Sequence, residues 1–209
     1  MSIYKCGSAV GQVTSAVVLA LAIIASPAVA QKADRPAVKV GDEWQFVHYT
    51  VVPIQKPNLA WVITSVTPTG IAGTSNGRPL TLTPDLNIIE SPTRKFSDRR
   101  VLSFPLEIGK SWTYVNQVES KNDQGDWRMD AKLTVTAYEK VTVPAGQFDA
   151  FRIEAKGKSG VQGAAGAGAR EFTETSWYAP SARAIVKEVY RDSTSGETVR
   201  ELVSFKLQP

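Results

Sequence analysis

The sequence predicts an all-β protein: a single antiparallel curved sheet, a half-barrel or a β-sandwich of about ten strands, preceded by a cleavable signal peptide. Three observations carry this. Apolar and polar side chains alternate with period two through much of residues 40–209. Turn-forming clusters recur between these runs, and no long stretch shows the 3.6-residue spacing of an amphipathic helix. Successive side chains of a strand point to opposite faces, so alternation describes antiparallel strands with one face buried and one wet.

The first 30 residues read as an export signal. Lys5 is their only charge, residues 16–25 form an apolar core, and Ser26-Pro27 breaks any helix because proline lacks the amide donor. Ala28-Val29-Ala30 supplies the small residues a signal peptidase accepts, which places cleavage between Ala30 and Gln31. The apolar run is half the roughly 20 residues a membrane-spanning helix needs, so the mature chain is expected not to span the membrane. Cys6, the only cysteine, precedes the apolar core, whereas a lipid-anchored cysteine would follow it. Cleavage therefore leaves a chain without disulfides, thiol nucleophiles or cysteine-ligated metal, in the periplasm or secreted.

Residues 31–39 read as a polar leader and residues 40–209 as one β domain. Without Lys5 the chain has 23 basic and 20 acidic residues, a formal charge of +3. These charges are interspersed, unlike the basic face of a nucleic-acid binder, so no nucleic-acid partner is expected. Ala131, Leu133, Val135 and Ala137 fall on one face of a strand. Phe151, Ile153 and Ala155 fall on one face of another, and Val199, Val203, Phe205 and Leu207 of a third. Asn76-Gly77, Gly125-Asp126, Pro144-Ala145-Gly146, Ala179-Pro180-Ser181 and Ser195-Gly196 mark reversals. A short helix is expected at residues 84–90 and a connecting loop at 91–100. Residues 157–168, rich in glycine, read as a hairpin loop.

A weak internal repeat joins two strand openings. Val40-Gly41-Asp42-Glu43-Trp44-Gln45-Phe46-Val47 and Ile108-Gly109-Lys110-Ser111-Trp112-Thr113-Tyr114-Val115 share an aliphatic-Gly-x-x-Trp-x-aromatic-Val pattern. In each, the tryptophan and the following aromatic share a face. Trp44, Phe46, Trp112, Tyr114 and Trp177 are the candidates for a ligand-binding or core face.

Few residues offer chemistry. His48 is the only histidine and lies on the face of Trp44 and Phe46; its counterpart in the repeat is Asn116, which cannot titrate. No Gly-x-Ser-x-Gly elbow accompanies it, and a histidine-rich zinc site cannot be built. Gly109-Lys110-Ser111 and Gly157-Lys158-Ser159 resemble a phosphate-binding loop, but Phe104 and Arg152 stand where its first glycine belongs. Asp123, Asp126 and Asp130 read as solvated charge, as does the basic group of Arg94, Lys95, Arg99 and Arg100. No cofactor is implied.

Ile108-Gly109-Lys110-Ser111-Trp112-Thr113-Tyr114, Val143-Pro144-Ala145-Gly146-Gln147-Phe148, Trp177-Tyr178-Ala179-Pro180 and Val186-Lys187 occur in this order. Over residues 104–205 the chain resembles exported bacterial proteins of the TapB-like and related domain-of-unknown-function families. The resemblance implies a curved antiparallel sheet, similar to the lipoprotein carriers of the periplasm, and brings no activity or catalytic residue. It leads to an expected glycine before Ile185, where Ser181-Ala182-Arg183 stands. The expected function is non-enzymatic binding of a lipid or other apolar or amphipathic envelope ligand, or of an envelope protein. The alternatives are a structural subunit of an envelope complex and, less favoured, a hydrolase.

Overall fold

The computed structural model describes residues 1, 31–50, 58–121, 125–161, 169–194 and 196–209. The signal segment, and with it the cleavage site at Ala30, lies outside them. Among the described residues the strands are β1 (Lys32–Ala33), β2 (Glu43–Thr50), β3 (Asn58–Thr67), β4 (Gly70–Ser75) and β5 (Arg78–Leu82). They continue as β6 (Ile88–Glu90), β7 (Arg94–Phe96), β8 (Leu106–Glu107), β9 (Ser111–Ser120) and β10 (Trp127–Val143). The last four are β11 (Gly146–Val161), β12 (Arg170–Ala179), β13 (Ala184–Asp192) and β14 (Gly196–Lys206), with a 3-10 turn at Pro180–Ala182. No helix among the described residues is long and apolar enough to cross a membrane.

All-β architecture is as expected, but the sheet is a closed barrel of twelve strands, not a half-barrel or a sandwich. Strands β2–β7 and β9–β14 follow one another as an antiparallel meander, and β14 returns to β2, from Thr198 opposite Thr50 to Lys206 opposite Glu43. Closure gives every barrel strand two partners. β1 and β8 make a separate two-stranded pair.

Residues 84–90 do not form a helix, and residues 91–100 are more than a loop. Leu86 takes a left-handed φ of 65°, ending any helical turn, and Ile88–Glu90 and Arg94–Phe96 are barrel strands that carry the ring from β5 to β9. The glycine-rich segment is strand through Val161: Gly157 lies opposite Ala131 and Phe172. A Cβ at Gly157 would overlap the Asp130 carbonyl and sit 2.8 Å from the Phe172 ring, so the position takes a residue without a side chain. Residues 162–168 lie outside the described residues.

Among the described residues five register shifts interrupt the barrel pairing, and three of them bear on the faces expected from alternation or on the strand openings. The shift between Val135 and Ala137 leaves Met129, Ala131, Leu133 and Val135 buried and takes Ala137 off their face. A second, between Leu202 and Ser204, buries Leu202 and leaves Val203 and Phe205 exposed, against the simple alternation of β14. The third lies between Ile63 and Ser65. Each extra residue flips the downstream faces, which period-two counting misses. Where a glycine was expected, Arg183 adopts φ 51°; its guanidinium pairs with buried Asp42 at 3.2 Å and its N–H donates to the Pro180 carbonyl.

A twelve-stranded barrel is wider than the eight-stranded kind that strand side chains alone fill. Here residues 97–105 descend inside the wall and complete the filling. Asp98 N–H donates to the Asn116 side chain (3.1 Å), Trp112 Nε1 donates to the Arg100 carbonyl (2.7 Å), and Leu102 exchanges two 2.8 Å hydrogen bonds with Asn87. Val101, Leu102 and Leu106 are buried. The end near Pro180–Ala182 is closed: Trp44 Nε1 donates to the Ala182 carbonyl (2.8 Å), and the tip of the β10–β11 hairpin is tied by Ala145 N–H to the Leu202 carbonyl (3.0 Å).

Candidate functional site

The opposite end of the barrel is open. Its mouth is a cleft of about 570 Å³, within the roughly 300–1,000 Å³ of small-molecule sites. Strand register brings its walls together from distant segments. The apolar wall comes from Phe96 on β7, Trp127 and Met129 on β10, and Val161 on β11. Arg94, Arg99, Arg170 and Arg200 supply positive charge, His48 lies among them, and Glu188 and Asp192 are acidic.

Beneath the cleft sits a layer of paired charges. Arg99, near the top of the descending segment, donates from Nη2 to Glu174 Oε2 at 2.7 Å, and the Glu174 side chain is only 2% exposed. Arg200 donates from Nη2 to Glu188 Oε2 at 3.0 Å and lies 5.3 Å from the Phe46 ring and 5.4 Å from that of Trp61. Burial opposes the charge on both carboxylates. For Glu188 it is outweighed by Arg200, then Arg99 and His48, and the carboxyl is held below its ordinary range. For Glu174 burial prevails over Arg99 and pushes the carboxyl up. Tyr114 and Tyr190, beside this layer, are likewise pushed up by burial. Two carboxylates driven apart are the pattern of acid–base pairs, yet Glu174 lies behind Arg99 and does not reach the cleft wall.

Below the charges the interior is packed. A residual cavity of only about 40 Å³ remains, lined by Trp44, Phe46, Trp61, Leu82, Val101 and Leu102 among others. Among the described residues the mouth therefore opens above a filled core.

The five candidate aromatics do not share one face. Trp44, Phe46 and Tyr114 point inward and are buried at 2, 2 and 3% exposure. Trp112 is half-buried against the core near the closed end, with Lys110 5.8 Å from its ring. Trp177 is partly buried at the edge of the cluster that holds Trp44 and Phe46, opposite Arg152 and Lys187, its Nε1 donating to Glu139 at 2.9 Å. None of the five lines the mouth. His48 does, directly across from Arg200; partial burial and then the Arg200 guanidinium hold its imidazole below the ordinary 6.5.

The candidate carboxylates do not converge on His48. Asp126 accepts from Ser120 N–H at 2.9 Å and Asp130 pairs with Arg128 at 3.0 Å, while Asp123 lies outside the described residues. The basic group expected on a solvated loop is divided: Arg94 and Arg99 face the mouth, whereas Arg100 pairs with Asp98 and Lys95 with Glu119. Glu174, Glu188 and Arg200 were not singled out by the sequence. Their signal is a charge on an inward position, as with Glu174 between Phe172 and Ser176. Among the described residues no three His, Cys, Asp or Glu side chains gather as a metal site.

No protein-family model and no curated protein matches the sequence, so the likeness to TapB-like proteins rests on its motifs. Solved structures do match the fold. An inferred exported protein with a YmcC-like fold from Bacteroides fragilis superposes with a TM-score of 0.55 at 13% identity, over 83% of this chain and 99% of that one. A candidate lipoprotein from Parabacteroides distasonis gives 0.53 at 13% identity, over 83% and 98%. The hypothetical lipoprotein YmcC from Escherichia coli gives 0.51 at 9% identity, over 81% and 88%. The chain thus has the YmcC-like fold.

Proposed function

We propose that the protein is a non-enzymatic binding protein of the bacterial cell envelope that takes an amphipathic ligand into the open mouth of its barrel. The observation that carries this reading is the 570 Å³ cleft, where an aromatic and aliphatic wall faces arginines above a filled core. A purely apolar ligand would strip water from those arginines without replacing it, whereas an amphipathic one satisfies both walls. Envelope localisation is supported by the signal-like first 30 residues and by similarity to structures named as exported proteins or lipoproteins.

Native mass spectrometry of protein purified from the envelope of cells expressing the full chain tests this. The expected result is a bound mass that is lost on denaturation or restored by incubation with an envelope lipid extract. A clean unliganded mass with no uptake overturns it.

A second reading, an assembly subunit, draws on Val203 and Phe205 exposed on β14. Because every barrel strand is paired on both sides, such a partner would dock on side chains and not add a strand. Recovery without a stoichiometric partner argues against it.

A further inference from the structure

The mouth carries more positive charge than its own carboxylates neutralise. Of its four arginines, Arg99 and Arg200 are committed to Glu174 and Glu188. Arg94 and Arg170 have no carboxylate within 4.0 Å among the described residues. Arg94 lies with its guanidinium 4.8 Å from the Trp127 ring centre, which orients the fork while leaving its N–H groups open to the cleft. Arg200 belongs to the floor beneath them: its Nη2 is held by Glu188 and its Nε is buried. Phe96, Trp127, Met129 and Val161 line the same cleft as these cations.

We propose that the mouth is a site for organic anions with one acidic head, a carboxylate or a phosphate monoester, on an apolar body. The proposal rests on the reading of this cleft as a ligand site and names the chemistry it selects. The head meets Arg94 and Arg170, where a guanidinium makes charge-assisted, two-pronged hydrogen bonds to either oxyanion. The body lies on Trp127, Phe96, Met129 and Val161. The neutralised Arg99–Glu174 and Arg200–Glu188 layer forms the floor and limits how deep the apolar part can go.

Four probes sharing a decyl chain, each below its micelle concentration, separate the parts of this proposal: decanoate, decyl phosphate, decanol and decyltrimethylammonium. Inorganic phosphate is the fifth titrant, and binding is followed by calorimetry and tryptophan fluorescence. The expected result is that both anions bind about tenfold or more tightly than decanol and the cation, the scale of one charge-assisted hydrogen bond. Added salt should narrow that preference. Arg94→Gln and Arg170→Gln, both at exposed positions, should each narrow the preference severalfold, and Arg170→Gln, away from the Trp127 ring, should leave decanol binding and the thermal midpoint in place. Equal binding of all four decyl probes overturns the anion preference but leaves the ligand reading standing. Binding of none overturns both. Phosphate alone binding as tightly as decyl phosphate overturns the apolar part. Decanoate and decyl phosphate, compared with each other, assign the head to one of the two acids.

Discussion

The barrel contains two strand openings with the same backbone and different side chains, and comparing them shows how one local geometry serves two ends. At the first, Gly41 (φ 87°) donates its N–H to the Ile63 carbonyl (2.9 Å) and Ile63 N–H donates to Asp42 (3.0 Å). At the second, Gly109 (φ 89°) donates to Val135 (2.8 Å) and Val135 N–H to Lys110 (2.9 Å). Ile63 and Val135 both begin a bulge. The side chains then diverge. Asp42 is fully buried, accepting from Lys39 N–H (2.9 Å) and Gln208 N–H (2.7 Å) and pairing with Arg183, so it ties the end of the chain to the wall. Lys110 donates to the Ser103 and Pro105 carbonyls and so ties the descending segment. Six residues further on, His48 faces the mouth while Asn116 is buried and holds Asp98. Backbone form is set by the glycine and the bulge; what each opening holds in place is set by the residue after the glycine.

The largest effect is expected where the segment held by the second opening meets the charge layer. Arg99→Met leaves Glu174 buried without its partner and should cost about 3–5 kcal/mol by urea denaturation, and adding Glu174→Gln should recover part of that loss. Asp42→Ala should cost about 3 kcal/mol, since it orphans two N–H groups and the Arg183 guanidinium, while its counterpart Lys110→Met should cost about 1 kcal/mol. Equal costs would erase the asymmetry drawn above. Gly109→Ala, with nothing within 4 Å of the new carbon, should cost about 1–2 kcal/mol for its left-handed φ alone. Gly41→Ala should cost more, because the carbon would sit 3.1 Å from Gln208.

The smallest effect is a pH slope. Above the ordinary histidine value of 6.5, neither the folded nor the unfolded chain protonates His48. As pH falls through that value the unfolded chain takes a proton that the cleft resists, so stability declines until the lowered folded value is passed. His48→Asn, which installs the residue of the other opening, should flatten this decline as pH falls through and below the ordinary histidine value in urea titrations. An unchanged slope would remove His48 from the account.

Local features were legible in the sequence; long-range ones were not. Ala131, Leu133 and Val135, and likewise Phe151, Ile153 and Ala155, are buried as alternation requires. Asn76-Gly77 turns with both residues at positive φ, 51° and 76°. The likeness of the two openings was visible because it lies within eight consecutive residues. The charge layer was not, since Arg99 and Glu174 are 75 positions apart and an arginine beside other basic residues looks solvated until the fold supplies its carboxylate. Closure escaped for the same reason: nothing near Thr50 announces that Thr198 will lie beside it. Trp44 and Trp177 look alike as strand aromatics, but only the pairings decide that one is fully buried and the other sits at the edge of the same cluster.

The seam between β14 and β2 also sets an order of events. β2 is complete by Thr50, but its second partner begins at Gly196, so a chain delivered from its N-terminus carries an unpaired edge until β14 has arrived. Contacts so distant in sequence make for slow folding, and an open edge in the meantime invites pairing with other chains. During delivery, the hazard is concentrated in the time between the first strand of the ring and its last.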